Sequence, residues 1–102
     1  MRAFLVQRLD EKRRRFFPLD DRAFLGSAEG SVCPIEDGTV PPRQCVIWRE
    51  GGRFRIRDLG ARARTLVNCQ YVREADLVPG DRIAVGDVVF TFHSLTPRRS
   101  AS

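Results

Sequence analysis

Few side chains in this 102-residue chain could make or break bonds. The candidate nucleophiles and metal ligands are Cys33, Cys45, Cys69 and the single histidine, His93. No two cysteines stand in a Cys-x-x-Cys pair, and one histidine cannot complete a zinc set. No nucleophile is matched to a base at a motif spacing, and no glycine-rich phosphate cradle precedes a helical stretch. The sequence therefore predicts no enzyme, no metal and no cofactor. Its thiols read as reduced, buried or half-buried groups of a cytoplasmic protein. Cys69, in a turn, is the most exposed of them, and Cys45 reads as a core atom. His93 reads as an edge-strand residue, and Trp48 reads as a cap on the core, with an interface anchor as the alternative.

Charge is the next possible carrier of function. The formal net charge is +5 with a pI near 10.1, and Lys12 is the lone lysine among the cations. Such a balance raises nucleic acid or an acidic membrane surface as partners. The arginines are spread along the chain, however, and Arg53, Arg55 and Arg57 alternate with Phe54 and Ile56. That period of two puts the three arginines on one strand face and the apolar pair on the other, which a solvated face explains without a ligand. Arg13-Arg14-Arg15 before Phe16-Phe17 reads as an edge-strand patch, serving either docking or the blocking of unwanted pairing.

The elements that must position these residues are strands. Short apolar–polar alternations separated by turn residues dominate, and helical periodicity is scarce. Strands are predicted over 2–8, 13–18 and 22–25. Gly30, Pro34, Gly38, Pro41 and Pro42 make 27–43 a long loop, with room for one short edge strand. A hairpin follows, with 44–49 and 53–58 joined around Gly51-Gly52. After a loop over 59–64 come Leu66-Val67 and 70–72 around Asn68-Cys69, where Asn tolerates the left-handed region and Cys is strained. Residues 75–81 read as a turning segment, followed by strands 82–85 and 88–93 around Gly86-Asp87. No apolar run approaches the roughly 20 residues that cross a bilayer, so no membrane insertion is expected, and the apolar stretch near the N-terminus is too short for a signal-peptide core. The fold class predicted is all-β, a sandwich.

In order and at matching spacing, several segments resemble the motifs of one family. Phe24-Leu25-Gly26-Ser27 resembles its Ile-Gly-Arg opening, and Val40-Pro41-Pro42-Arg43-Gln44-Cys45-Val46-Ile47 stands where it has Val-Ser-Arg-x-His-Ala-x-Ile. Phe54 to Gly60 matches its Asp-Leu-Gly strand, Arg64-Thr65-Leu66-Val67-Asn68 its Gly-Thr-x-Val-Asn, and Leu77 to Gly86 its Leu-x-x-Gly-Asp-x-Ile-x-Leu-Gly. The chain thus resembles a forkhead-associated (FHA) domain. The resemblance implies about 10–11 short strands in two sheets over residues 1–95, with 96–102 a flexible tail. It implies turns held by Gly60, Gly80, Asp81 and Gly86. Its expected core is Leu25, Val40, Ile47, Phe54, Ile56, Leu66, Val67, Ile83, Val85 and one of Phe90 and Phe92.

The family's phosphothreonine-reading positions fall, by the same resemblance, on Ser27, Pro41, Gln44 and Ala63, with a second basic position on Pro42; only Gly26 stands. Arginine offers phosphate two charge-assisted hydrogen bonds where Ser27 offers one hydroxyl. Pro41 offers neither a hydroxyl nor an N–H. Gln44 is expected to take over the bracing role of the missing histidine through its amide. The expected function is a non-catalytic, phosphorylation-independent protein-interaction module, a scaffold or assembly component. It would meet another protein or peptide through the loop end or a sheet edge. The candidate loop residues are Gly26, Ser27, Arg43, Gln44, Arg62, Arg64 and Thr65. Two alternatives stay open: a relocated phosphothreonine site built from Arg43, Arg62 and Arg64, and a basic nucleic-acid binder.

Overall fold

The computed structural model describes residues 2–27, 31, 43–60, 65–86 and 88–95. Ten strands follow one another: β1 Arg2–Arg8, β2 Arg14–Leu19, β3 Arg22–Leu25, β4 Cys45–Glu50, β5 Arg53–Asp58, β6 Thr65–Val67, β7 Gln70–Tyr71, β8 Glu74–Leu77, β9 Arg82–Val85 and β10 Val88–Leu95. All pairings are antiparallel. They build a six-stranded sheet in the order β2-β1-β10-β9-β6-β7 and a four-stranded sheet in the order β3-β4-β5-β8. No helix lies among the described residues, hence none long and apolar enough to cross a membrane. The all-β sandwich is as the sequence predicts. Arg62, Arg64, Val40, Pro41, Pro42, Ala63, Cys33 and the expected tail 96–102 lie outside the described residues.

Alternation decides what each strand buries. Leu5 of β1, Phe90 and Phe92 of β10 and Ile83 and Val85 of β9 point inward from the larger sheet. Leu25, Ile47, Phe54 and Ile56 meet them from the smaller one, and the rings of Phe54 and Phe92 stand 5.7 Å apart across the interface. Phe90 and Phe92 are two residues apart and share a face, so both are core where the sequence reading expected one. Leu66 is a correction. Thr65 and Val67 face inward, which turns Leu66 to the outer face of its three-residue strand.

Three further readings change. β8 was expected as a turning segment, yet Glu74–Leu77 pairs with β5 as the edge of the smaller sheet. Its alternation is short and half acidic, and what holds it in place is pairing with distant arginines. Arg55 stands opposite Asp76 and Arg57 opposite Glu74, with Arg55 Nη1 2.9 Å from Glu74 Oε2, Arg55 Nε 2.8 Å from Asp76 Oδ1 and Arg53 Nη1 3.1 Å from Asp76 Oδ2. The arginine stripe is a solvated face, as its period says, and its charge is matched by β8. Exposed pairs of this kind contribute little individually, about 0–1 kcal/mol, but a ladder of them sets strand register. Trp48 is not core: it lies half-buried on the same outer face, opposite Arg55, because its neighbours Ile47 and Cys45 take the inward positions. His93 is not on an edge, since β10 is flanked by β1 and β9.

The turns explain several isolated residues. Asn68 and Cys69 both have positive φ (52° and 68°), as a two-residue hairpin turn demands. Asn68 is held there by its side chain, whose Nδ2 donates to Asp81 Oδ1 (2.9 Å) while its Oδ1 accepts from the Arg82 N–H (3.1 Å). Asp81 Oδ2 in turn accepts from the Val78 N–H (2.9 Å), closing the turn that Gly80 enters at φ 98°. A Cβ at Gly80 would meet nothing within 4 Å, so φ alone calls for glycine. Replacing Cys69 by Gly removes the strain of a side chain in the left-handed region and should raise stability by about 0.5–1 kcal/mol. Gly80→Ala should lower it by about 1–2 kcal/mol. Urea midpoints at unchanged slope check both.

Candidate functional site at the loop end

One end of the sandwich brings together the end of β3, the start of β4, the end of β5 and the start of β6. The register forces this meeting, because Leu25 pairs with Cys45, Cys45 with Asp58, and Thr65 with Val85 at the end of β9. The Gln44 N–H donates to the Leu25 carbonyl (2.7 Å), and the Leu59 N–H to the Gln44 carbonyl (3.0 Å). A side-chain cluster then ties the sheets to each other. Gln44 Nε2 donates to Asp58 Oδ1 (3.0 Å) and to Thr65 Oγ1 (3.1 Å), and the Thr65 hydroxyl donates to Asp58 Oδ1 (2.8 Å). The other carboxylate oxygen takes the Gly60 N–H at 3.3 Å and the Tyr71 hydroxyl at 3.5 Å. Asp58 and Gln44 come from the smaller sheet's chain segments, Thr65 and Tyr71 from the larger sheet. The carboxylate therefore bridges the sandwich at the base of the loops.

The candidate residues separate into two groups. Gln44 and Thr65 are both 0% exposed, so their side chains position the loops and cannot face a partner. The bracing role expected of Gln44 matches this geometry. Gly26 is buried in a bridge position after β3, whereas Ser27 is exposed. Arg43 is exposed as well, and its guanidinium carbon lies 4.3 Å from the centroid of the Phe24 ring, on the outer face of the smaller sheet. Sequence reading missed Asp58 and Tyr71. Asp58 reads in the sequence only as the end of a strand, and its hydrogen bonds come from residues up to 14 positions away.

Cys45 packs beneath this cluster. Burial pushes its thiol up to about 12, with the Asp58 charge adding to the rise and a hydrogen bond with Thr65 opposing it. It is an inert core thiol, in contrast to the exposed Cys69. Among the described residues no group of side chains could hold a metal ion.

The sequence profile of the FHA domain matches residues 24–86, more than half of the chain. The chain belongs to the FHA domain family. Among solved structures it is similar to an FHA domain from work on phosphothreonine-dependent FHA interactions, at 23% identity and a TM-score of 0.83, with 94% of this chain and 99% of that one covered. It is also similar to the FHA domain of the CT664 protein from Chlamydia trachomatis (18% identity, TM-score 0.83, 94% and 100% covered). A third is the FhaA FHA domain solved with the intracellular domain of Rv3910 (24% identity, TM-score 0.79, 89% and 99% covered). No curated protein sequence matches the chain. FHA domains are protein-interaction modules that typically bind phosphothreonine peptides and are generally not enzymes. At these identities the structural likenesses speak for the FHA fold alone.

Two outcomes follow for this end of the domain. Asp58→Ala strands the Gln44 and Thr65 donors and should cost about 2–4 kcal/mol in chemical denaturation, whereas Tyr71→Phe, at the long 3.5 Å contact, should change little. The raised Cys45 pKa means the folded state favours the protonated thiol. Its contribution is fully present below the ordinary value of 9.0 and is lost as pH rises toward about 12. Stability should therefore fall by about 2 kcal/mol between pH 8 and pH 10.5 from this group, and Cys45→Ala should flatten that slope.

Proposed function

We propose that this FHA domain is a phosphorylation-independent protein-interaction module, a scaffold or assembly component of a larger complex in the cytoplasm. The observation that supports it best is Ser27. It stands exposed just after the Gly26 bridge, where the resemblance places the family's phosphate-binding arginine. Replacing a bidentate guanidinium by one hydroxyl gives up about two charge-assisted hydrogen bonds, each worth about 1.5–3 kcal/mol. At 1.4 kcal/mol per tenfold, the resulting loss of about 3–6 kcal/mol moves a micromolar phosphopeptide to between about 0.1 mM and 20 mM. Among the described residues, the two nearest candidates are committed elsewhere. Gln44 spends its amide on Asp58 and Thr65, and Arg43 lies over Phe24. The stripe of Arg53, Arg55 and Arg57, matched by β8, is likewise spent within the domain and argues against a nucleic-acid surface there.

Calorimetry with a degenerate phosphothreonine peptide library should show no binding tighter than about 0.1 mM. Capture of a defined partner from lysate should be unchanged by phosphatase treatment. Micromolar, phosphate-dependent binding would overturn the proposal. If that binding were lost on charge reversal of Arg62 and Arg64, the relocated arginine site would take its place.

A further inference from the structure

The outer faces of the two sheets differ in a way that the loop end does not explain. On the smaller sheet every arginine of the β5 stripe has a carboxylate of β8 within 4.0 Å. On the larger sheet the outward positions of β1, β2, β9 and β10 hold Arg8, Arg14 and Arg82 and no acidic residue. None of these three arginines is in an ion pair among the described residues. Between them lies a hollow of about 910 Å³ walled by Phe4, Val6, Phe16, Val89 and His93. Phe16 is 63% and Val89 48% exposed, and both line this hollow on one sheet face. Register aligns this wall: Phe16 stands opposite Val6, Val6 opposite Thr91, Phe4 opposite His93, and Thr91 opposite Arg82.

We infer that this face docks a protein segment in which acidic residues alternate with large apolar ones. An apolar floor rewards burial of Leu- or Phe-type side chains, and three unmatched guanidiniums at its rim select carboxylates and steer them in. The aromatic geometry favours such a segment over single-stranded nucleic acid. Phe4 already stacks on His93 (centroids 5.5 Å apart, 23° between planes) and leans on Phe16 (5.9 Å, 53°), so its ring is not a free platform for a base. Phe16 and His93 are the two rings that Phe4 contacts, and the remaining apolar walls, Val6 and Val89, are aliphatic and cannot stack. The inference deepens the phosphorylation-independent reading by naming a surface and a partner chemistry away from the loop end.

The test is a displayed library of short unphosphorylated peptides alternating Asp or Glu with Leu or Phe. Control libraries place Lys at the acidic positions or Ser at the apolar ones. Expected are micromolar binders from the first library only, weakened about tenfold or more by either Phe16→Ser or Arg14→Glu and weakened by salt. Ser27→Ala should leave them unchanged. Both sheet-face residues are exposed, and unaltered thermal unfolding of the variants confirms that the fold is kept. Absence of binders, or binders indifferent to both substitutions, overturns the inference. So does tighter, Phe16-dependent binding of single-stranded RNA or of phosphatidylserine vesicles, or self-association through this face in sedimentation. A phosphothreonine peptide that binds and is indifferent to Phe16→Ser would refute the phosphorylation-independent reading alone and leave the sheet face to its own result.

Discussion

A single carboxylate holds the two sheets in register at the end where their loops emerge. Asp58 accepts from Gln44 and Thr65 inside the sandwich and from the Gly60 N–H and Tyr71 at its margin. A β-sandwich has no hydrogen bonds between its layers, and its apolar core is indifferent to small slides of one sheet over the other. Directional polar bonds at the rim remove that freedom. Gln44 and Thr65 are fully buried, so losing the carboxylate that they share is costly, while the Gly60 and Tyr71 contacts at the exposed margin add little. The positions of Gly26, Ser27 and Arg43 relative to the β5–β6 connection follow from this bridge.

A second cluster works in the same way around the β8–β9 turn. Asp81 collects the Val78 N–H and the Asn68 amide, and Asn68 passes the constraint on to Arg82. Both clusters use side chains to satisfy groups that the ladders leave open, which is how short strands with many turns avoid orphaned donors. The frame is thereby over-determined, and an FHA domain can keep its architecture while the exposed residues between the constraints change. Ser27 is such a change: it alters what the loop end offers without touching any bond of the clamp.

The distribution of charge shows a comparable division. On the smaller sheet's outer face the charges of the β5 stripe are matched by β8. On the larger sheet's outer face Arg8, Arg14 and Arg82 make no ion pair among the described residues and stand around exposed apolar groups. Net charge alone would suggest one diffuse basic surface, but the fold sorts the same arginines into a neutralised stripe and an open rim.

Much of this was legible in the chain itself. Period-two alternation placed β1, β3, β4, β5 and β9 within a residue of their bounds, because one-sided burial repeats every second residue. Gly51-Gly52 and Asn68-Cys69 marked hairpins, since few residues accept positive φ. The ordered motifs from Phe24 to Gly86 carried the family, and with it the expectation that Gln44 braces a loop. Other features depended on partners distant in sequence. Glu74–Leu77 is a strand because β5 lies beside it, with Leu77 opposite Phe54 in the core and Arg55 and Arg57 opposite its acidic residues. Trp48 faces outward because Cys45 and Ile47 claim the core, and His93 is on an inner strand because β10 lies between β1 and β9. Asp58 reads as no more than a strand end until the second sheet brings Thr65 and Tyr71 to it. Local pattern determined which residues are strands and which face of each is apolar, since both depend on neighbours two positions apart. Only the tertiary structure decided which strand borders which, which charges are matched, and which polar groups share one carboxylate, because those depend on contacts whose sequence separation no periodicity encodes.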